Sequence, residues 1–148
     1  MKKEPTLRER ALKLLARREH SRTELARKLK AHVVPEDDLE ALLDDLAGRK
    51  QLSDERYAES RAHALSRKFG AARIAQELRA KGLDKGLAQR AVETARSTEV
   101  ERARAVWLGK FRSPPDSREE RARQMRFLQS RGFSFDAIRA VVRGADED

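Results

Sequence analysis

The sequence contains no cysteine, and its 148 residues include only 1 Trp, 1 Tyr and 5 Phe. The absence of cysteine excludes disulfide bonds, a thiol nucleophile and any cysteine-based metal site. With 39% hydrophobic and 5% aromatic residues against 40% charged residues, the chain has enough apolar surface for thin seams but not for a thick core. This composition favours packed helices over packed sheets.

Long hydrophobic runs are also missing, and no apolar segment follows the basic start MKKEPTLRER. We therefore expect neither a membrane span nor a signal peptide, but a soluble cytoplasmic protein. The sequence has no phosphate-binding loop, nucleophile elbow or dinucleotide-binding glycine fingerprint. The three histidines, His20, His32 and His63, include no pair at i and i+4 that could bind zinc. These patterns predict a protein that is not an enzyme and that has no cofactor and no metal.

Basic residues dominate the charge, because 34 Lys and Arg outnumber 25 Asp and Glu for a net charge of +9. Such an excess suggests an anionic partner, either a nucleic acid or an acidic groove on a protein. The alternative is a solvated, highly charged helical surface with no partner in particular. The acidic clusters Glu36-Asp37-Asp38 and Asp44-Asp45 are interpreted as helix-dipole complements and solvated charge, not as catalytic carboxylates.

Helix starts are marked by the pattern Ser/Thr-x-x-Glu, which is typical of capping boxes. It occurs four times, at Thr6/Glu9, Ser21/Glu24, Thr98/Glu101 and Ser117/Glu120. Five more starts are predicted at Pro35, Ser53, Gly70, Asp84 and Ser134. Apolar residues follow each start at helical spacing, and no segment alternates with a period of two. The sequence therefore predicts an all-α protein with nine helices.

Landmarks recur along the chain at nearly fixed intervals. Leu29, Leu78 and Leu128 are separated by 49 and 50 residues, and Lys81-Gly82-Leu83 is echoed by Arg131-Gly132-Phe133. The repetition predicts three tandem three-helix repeats that stack into an elongated, curved array. The predicted boundaries place the repeats at residues 1–52, 53–98 and 99–143, followed by a flexible tail at residues 144–148.

Three motifs carry a resemblance to a known family. They are Asp54-Glu55-Arg56-Tyr57-Ala58, then Gly70 with Arg73-Ile74, Glu77-Leu78 and Lys81-Gly82, and finally Phe127-Leu128 with Arg131-Gly132-Phe133-Ser134 and Ile138. From about residue 8 to residue 143 the chain resembles the bacterial RecX family, whose members modulate the recombinase RecA. The family usually has a glycine two residues before Leu52, where this chain has Lys50. We expect Gly48 to end the preceding helix instead.

The resemblance implies a regulatory protein that binds RecA and the RecA filament on single-stranded DNA. It would limit filament growth and so damp strand exchange, ATP hydrolysis by RecA and the coprotease activity that triggers the SOS response. No membrane and no small-molecule substrate is implied, and weak direct contact with DNA is left open. The competing hypothesis is an autonomous DNA-binding protein, because three-helix units can resemble helix-turn-helix domains.

Positive charge is densest in residues 53–98, and two groups of cations are candidates for binding the partner. The first group is Arg67, Lys68, Arg73, Arg79 and Lys81, and the second is Arg121, Arg126 and Arg131. Arg73 and Lys81 lie off the predicted apolar stripe of Ile74 and Leu78. In a curved array the two groups are expected to line one surface, which would steer the chain toward an anionic filament.

The aromatic residues admit two interpretations, stacking on single-stranded bases or packing in the core. Six of them, Tyr57, Phe69, Trp107, Phe111, Phe133 and Phe135, fall on the apolar stripes and favour the core. Phe127 adjoins its stripe and is predicted to be partly exposed. The segment around Pro114-Pro115 cannot continue a helix, so it is predicted to be a surface loop that lengthens the first turn of the third repeat.

Overall fold

The computed structural model describes residues 3–143, and all regular secondary structure in that range is helical. The all-α class is therefore confirmed. The α-helices, in chain order, are α1 (Leu7–Arg17), α2 (Arg22–Leu29), α3 (Leu39–Gly48), α4 (Asp54–Leu65), α5 (Ala71–Ala80), α6 (Lys85–Ala91), α7 (Glu93–Ser97), α8 (Glu99–Lys110), α9 (Arg118–Ser130) and α10 (Phe135–Val141). A short 3₁₀ turn, Lys30–His32, extends α2. The predicted tail, residues 144–148, lies outside the described residues.

Most helices begin where a short polar side chain caps the first turn. Side-chain oxygens of Thr6, Ser21, Ser53, Asp84, Ser117 and Ser134 each accept a hydrogen bond from the backbone N–H three residues later, at 3.0–3.1 Å. One predicted start, Pro35, is misplaced, and a second, Thr98, stands directly before its helix as predicted but lacks the predicted capping box. Pro35 lies in a turn, and α3 is capped instead by Asp38, whose carboxylate accepts from the Ala41 amide at 3.0 Å. The Thr98 hydroxyl accepts from Arg102 Nε at 3.0 Å and does not cap α8.

The predicted count of nine helices is also wrong, because the described range contains ten. The helix predicted to start at Asp84 breaks at Val92, whose backbone leaves the helical region and whose side chain is fully buried. Both halves, α6 and α7, contact α5. The break turns the second half of the segment so that it stays on the same apolar cluster, and this tertiary packing overrides the helical spacing of the sequence.

Three apolar clusters form the core, and each takes its residues from one of the three predicted repeats. The first lies among α1, α2 and α3, the second among α4 to α7, and the third among α8, α9 and α10. The landmark leucines, Leu29, Leu78 and Leu128, are each fully buried in their own cluster. The chain is thus an all-α repeat fold, while the curved and elongated outline stays a prediction.

The second helix of each repeat, α2, α5 and α9, is called its middle helix. After α5 and α9 the chain turns on a glycine in the left-handed conformation, Gly82 with φ +88 and Gly132 with φ +87. Leu83 N–H then reaches Leu78 O, and Phe133 N–H reaches Leu128 O, both at 3.3 Å. These are Schellman caps, in which glycine takes the left-handed conformation without a Cβ clash.

For α3 the sequence predicted that Gly48 would end the helix in place of a glycine at position 50. Gly48 is the last residue of the helix, and Lys50 takes the left-handed conformation at φ 62. The amide of Lys50 donates to Ala47 O at 3.0 Å, and that of Gln51 donates to Leu46 O at 2.9 Å. Lys50 therefore makes the same cap without a glycine, and Gly48 does not replace it.

The middle helices meet head to tail at two junctions between repeats. At the first, Ser21 Oγ at the start of α2 donates to Lys81 O at the end of α5, at 3.0 Å. At the second, the Gly70 amide at the start of α5 donates to Arg131 O at the end of α9, at 2.8 Å. The positive end of one helix dipole thus faces the negative end of the next, which is a favourable arrangement.

Acidic residues from the following repeat complete both junctions. Asp54 Oδ1, on the first residue of α4, accepts from the Arg22 amide at 2.7 Å. Glu99 Oε1, on the first residue of α8, accepts from the Ala71 amide at 3.0 Å. Asp54 lies in the first turn of α4, where an acid complements the helix dipole, and it also satisfies an otherwise unpaired amide of α2. The second and third repeats therefore each cap the middle helix of the repeat before them.

Candidate partner-binding surface

Four of the eight candidate cations are exposed at the surface. They are Arg67, Lys68, Arg79 and Arg126. The ion pairs formed among the described residues use other cations, for example Arg22, Arg56, Arg96 and Arg123. The four exposed candidates are thus left uncompensated within the described part of the chain, and uncompensated cations attract polyanions most strongly.

Arg73 and Arg131 lie at the second junction and are half-buried. Arg73 Nη1 donates to Ser130 O at 3.0 Å, and its guanidinium lies 4.5 Å from the centre of the Phe69 ring. Arg131 lies 5.7 Å from the same ring, and its Nη1 approaches Lys68 O at 3.5 Å. The structure therefore brings one cation from each predicted group to a single aromatic ring, and both also contact their own chain.

The alternation of cations and rings continues into the third repeat. Arg131 lies 5.0 Å from the Phe127 ring, and Lys110 lies 5.6 Å from that same ring. The five side chains Arg73, Phe69, Arg131, Phe127 and Lys110 are called the cation–aromatic strip. Stacking on a ring face is favourable for a cation and restricts its orientation. Buried Phe111 supports the strip from beneath by an edge-to-face contact with Phe127, with ring centres 5.5 Å apart.

The predictions for the aromatic residues are confirmed in part. Tyr57, Trp107, Phe111 and Phe133 are buried as predicted. Phe127 is half-buried, which confirms its predicted partial exposure, and Phe69 is half-buried at the edge of the second cluster. The core prediction for Phe135 is wrong, because 62% of this residue is exposed where it opens α10.

The remaining candidates, Lys81 and Arg121, are half-buried on different repeats. Lys81 ends α5 beside the first junction and lines a shallow depression with Arg18, Glu24 and Tyr57. In that depression the Arg18 guanidinium binds Glu24 at 2.6 Å and lowers the pKa of its carboxyl group. Arg121 lies on α9, next to Met125. The eight candidates therefore divide between two junctions and one helix surface.

Arg102 is a structural side chain beside the strip that no sequence pattern singled out. Its guanidinium donates to Ser66 O at 2.8 Å and to Phe69 O at 2.6 Å, and also to Ala95 O. Burial lowers the pKa of Arg102. One side chain thus ties α8 to the end of α4, to the start of the strip and to α7. No spacing distinguishes it from exposed arginines on the same helix, such as Arg104.

His20 has a packing role at the turn between the first two helices. It is buried between α1 and α2, with Nδ1 3.1 Å from Arg18 O and Nε2 2.9 Å from Lys28 Nζ. A lysine ammonium can only donate, so His20 Nε2 accepts and the ring is neutral. Burial lowers the pKa of His20. In residues 3–143 no group of three potential ligands is arranged for a metal ion.

The helices of the described range are also too short or too polar to cross a membrane. The candidate site is a surface of cations beside the two junctions and along α9. Such a surface attracts negative charge.

Comparison with known proteins places these features in a family. Sequence models for the first, second and third three-helix domains of RecX match residues 8–46, 53–92 and 97–142. The regulatory protein RecX of Leptothrix cholodnii is 50% identical over 97% of this chain and 91% of its own length. That of Herbaspirillum seropedicae is 46% identical over 97% of this chain and 94% of its own length.

Solved structures agree in fold. The crystal structure of RecX from Lactobacillus salivarius matches with a TM-score of 0.77 and 24% identity, covering 92% of both chains. A second RecX crystal structure matches with a TM-score of 0.79, covering 91% of this chain and 70% of the other. With three consecutive domain matches and relatives this similar over nearly their full length, the chain belongs to the RecX family of regulatory proteins.

Proposed function

We propose that the chain binds RecA and the RecA filament on single-stranded DNA, and that it limits filament extension. By doing so it damps RecA-catalysed ATP hydrolysis, strand exchange and the coprotease activity that triggers the SOS response. It acts by binding and not by catalysis, in the cytoplasm. Membership of the RecX family supports the regulatory role, and the identity of the partner is the implication of that membership.

The observation that carries the proposal is the set of exposed cations without carboxylate partners, Arg67, Lys68, Arg79 and Arg126. A nucleoprotein filament is a repeating anionic surface, and uncompensated surface cations raise the rate of association with such a surface. Repetition suits an extended partner, because the second and third repeats end their middle helices, α5 and α9, with the same glycine turn. We therefore assign partner binding to the middle helices α5 and α9 and the segments beside them.

Charge reversal at one of these positions tests the proposal. Arg79→Glu changes the net charge as much as Arg96→Glu does, but Arg96 is already paired with Glu93 at 3.0 Å. We expect Arg79→Glu to slow association several-fold and to weaken inhibition of RecA-catalysed ATP hydrolysis at low salt, whereas Arg96→Glu has a smaller effect. Equal behaviour of the two folded variants would remove Arg79 from the interface.

Titration against growing and preformed filaments separates two modes of action. Inhibition by far fewer molecules than RecA protomers indicates that growing ends are blocked, and inhibition near parity indicates that the groove is lined. The competing hypothesis of an autonomous DNA-binding protein predicts tight binding to DNA without RecA and a steep loss of that binding with salt. The purified chain is expected to show no ATPase, nuclease or protease activity, and a turnover abolished by a point mutation would contradict this.

A further inference from the structure

We propose that the cation–aromatic strip binds the phosphodiester backbone of single-stranded nucleic acid directly. The strip is a composite of two repeats, because Phe69 and Arg73 come from the second and Arg131, Phe127 and Lys110 from the third. This inference deepens the proposed function, since it assigns one component of the filament, the nucleic acid strand, to one surface of the chain.

The geometry of the strip suits phosphate groups. Arg73 at 4.5 Å and Arg131 at 5.7 Å both lie over the Phe69 ring, and Arg131 at 5.0 Å and Lys110 at 5.6 Å both lie over the Phe127 ring. A guanidinium has five N–H donors, and the described contacts of Arg73 and Arg131 each use one nitrogen. The ring contact restricts each guanidinium, and the donors that remain match the geometry of phosphate oxygens.

The surroundings of the strip favour a polymer of phosphates over a single acidic side chain. The contacts that hold Arg73 and Arg131 are backbone carbonyls, Ser130 O and Lys68 O, which orient a cation without neutralising it. Three cations are linked in sequence through two rings across the junction, so positive charge recurs along the strip, as negative charge recurs along a nucleic acid strand. Because cations already cover the ring faces, bases gain little from stacking there. We therefore expect binding that is independent of base sequence.

The test uses the purified full chain alone with a fluorescent single-stranded oligothymidylate, and measures anisotropy over a series of salt concentrations. Arg131→Gln is compared with Arg139→Gln, because Arg139 also stacks on a phenylalanine, Phe135, at 5.6 Å, but outside the strip. Each variant loses one charge and one or more cation–aromatic contacts. We expect Arg131→Gln to weaken binding about tenfold and to reduce the slope of log K against log salt by about 0.7, the value for one phosphate contact on a single strand.

The matched variant, Arg139→Gln, is expected to change the affinity less than twofold. Arg131→Lys is expected to keep the salt slope, because it keeps the charge while removing the planar donor. An oligoadenylate is expected to bind like the oligothymidylate. A slope lost equally in Arg131→Lys and Arg131→Gln would mean that an opened junction, not a missing phosphate contact, causes the defect, and would overturn the proposal.

Two other results would also overturn it. Equal losses in Arg131→Gln and Arg139→Gln would mean diffuse attraction by net charge. If Arg131→Gln left DNA binding unchanged but weakened binding to DNA-free RecA, the strip would bind carboxylates of RecA and not phosphates. The failure of the proposed function gives a different result. If the wild-type chain did not inhibit RecA, that function would be refuted, while DNA binding that depends on the strip would still be observed.

Discussion

Replacing Gly70 with alanine tests the junction between α5 and α9 without removing any charge. Gly70 has φ −80, a value that any residue adopts, so alanine brings no backbone strain at this position. A Cβ there would lie only 2.5 Å from both Gly132 C and Phe133 N, which are backbone atoms that cannot rotate away. The whole start of α5 must therefore move off the end of α9. The added methyl group would disturb the contact between two repeats and leave each apolar cluster intact.

The magnitude follows from treating the substitution as overpacking. Forcing extra atoms into a tight contact costs about 1–3 kcal/mol. Gly132→Ala adds a second cost, because at φ +87 a side chain is strained by a further ~1–2 kcal/mol, and its Cβ would lie 2.7 Å from Arg73 N. We therefore expect Gly132→Ala to lose more free energy of unfolding than Gly70→Ala. Since the two sites share one contact, the double variant should lose less than the sum of the two single losses.

Urea denaturation monitored by circular dichroism measures these losses, and Gly109→Ala is the matched control. Gly109 lies in α8 with nothing within 4 Å of an added Cβ. Alanine there should stabilise the protein by roughly 0.5–1 kcal/mol, because it restricts the unfolded chain and favours the helix. If Gly70→Ala lost no more free energy of unfolding than Gly109→Ala, the head-to-tail contact would be refuted. If the losses of Gly70→Ala and Gly132→Ala were strictly additive, the two glycines would not be in contact.

Three further predictions concern buried side chains. Arg102→Met should cost about 2–4 kcal/mol in urea denaturation, because it leaves three carbonyl groups with a lost partner. The same change at exposed Arg104, which reaches only Ala140 O at 3.3 Å, should cost much less, and equal losses would contradict the tie made by Arg102. Leu78→Ala should cost about 2–5 kcal/mol as a fully buried truncation, and half-buried Phe127→Ala should cost less; equal losses in melting experiments would contradict the observed facing of α9. Burial lowers the pKa of His20 below 6.5, and His20 faces Arg18, Lys28 and Glu24. The unfolded chain therefore binds the proton more readily than the folded chain does. The contribution of His20 to the free energy of unfolding should be fully present above pH 6.5 and should be lost as the pH falls below that value. His20→Phe, which copies Phe69 of the next repeat, should remove this pH dependence, and a dependence that survives would assign it to another group.

Much of the architecture was set locally and could be predicted from the sequence. Short polar residues such as Ser21 and Ser134 mark helix starts because their side chains satisfy free amides of the first turn, and this chemistry needs no distant partner. Gly82 and Gly132 mark helix ends because the left-handed conformation favours glycine. The spacing of Leu29, Leu78 and Leu128 revealed the repeats, because each repeat buries the same face of its middle helix.

Contacts between repeats were decided only by the tertiary structure. Asp54 and Glu99 cap helices of the preceding repeat, and their first-turn positions in the sequence are explained equally well by their own helix dipoles. Arg102 resembles any solvated arginine of α8 until the end of α4 is placed beside it. Val92 breaks a segment with helical spacing because its side chain belongs to a core that several helices share.

The candidate surface was likewise predictable from the sequence only in part. The sequence showed which residues are cations, and it predicted that Phe127 would be partly exposed. It could not show that Arg73 and Arg131, 58 positions apart, both stack on Phe69. That pairing depends on the docking of α5 onto α9, and the docking depends on two glycines whose missing side chains let the backbones touch. Local sequence determined the repeats, and close approach between backbones decided which of their charges act together.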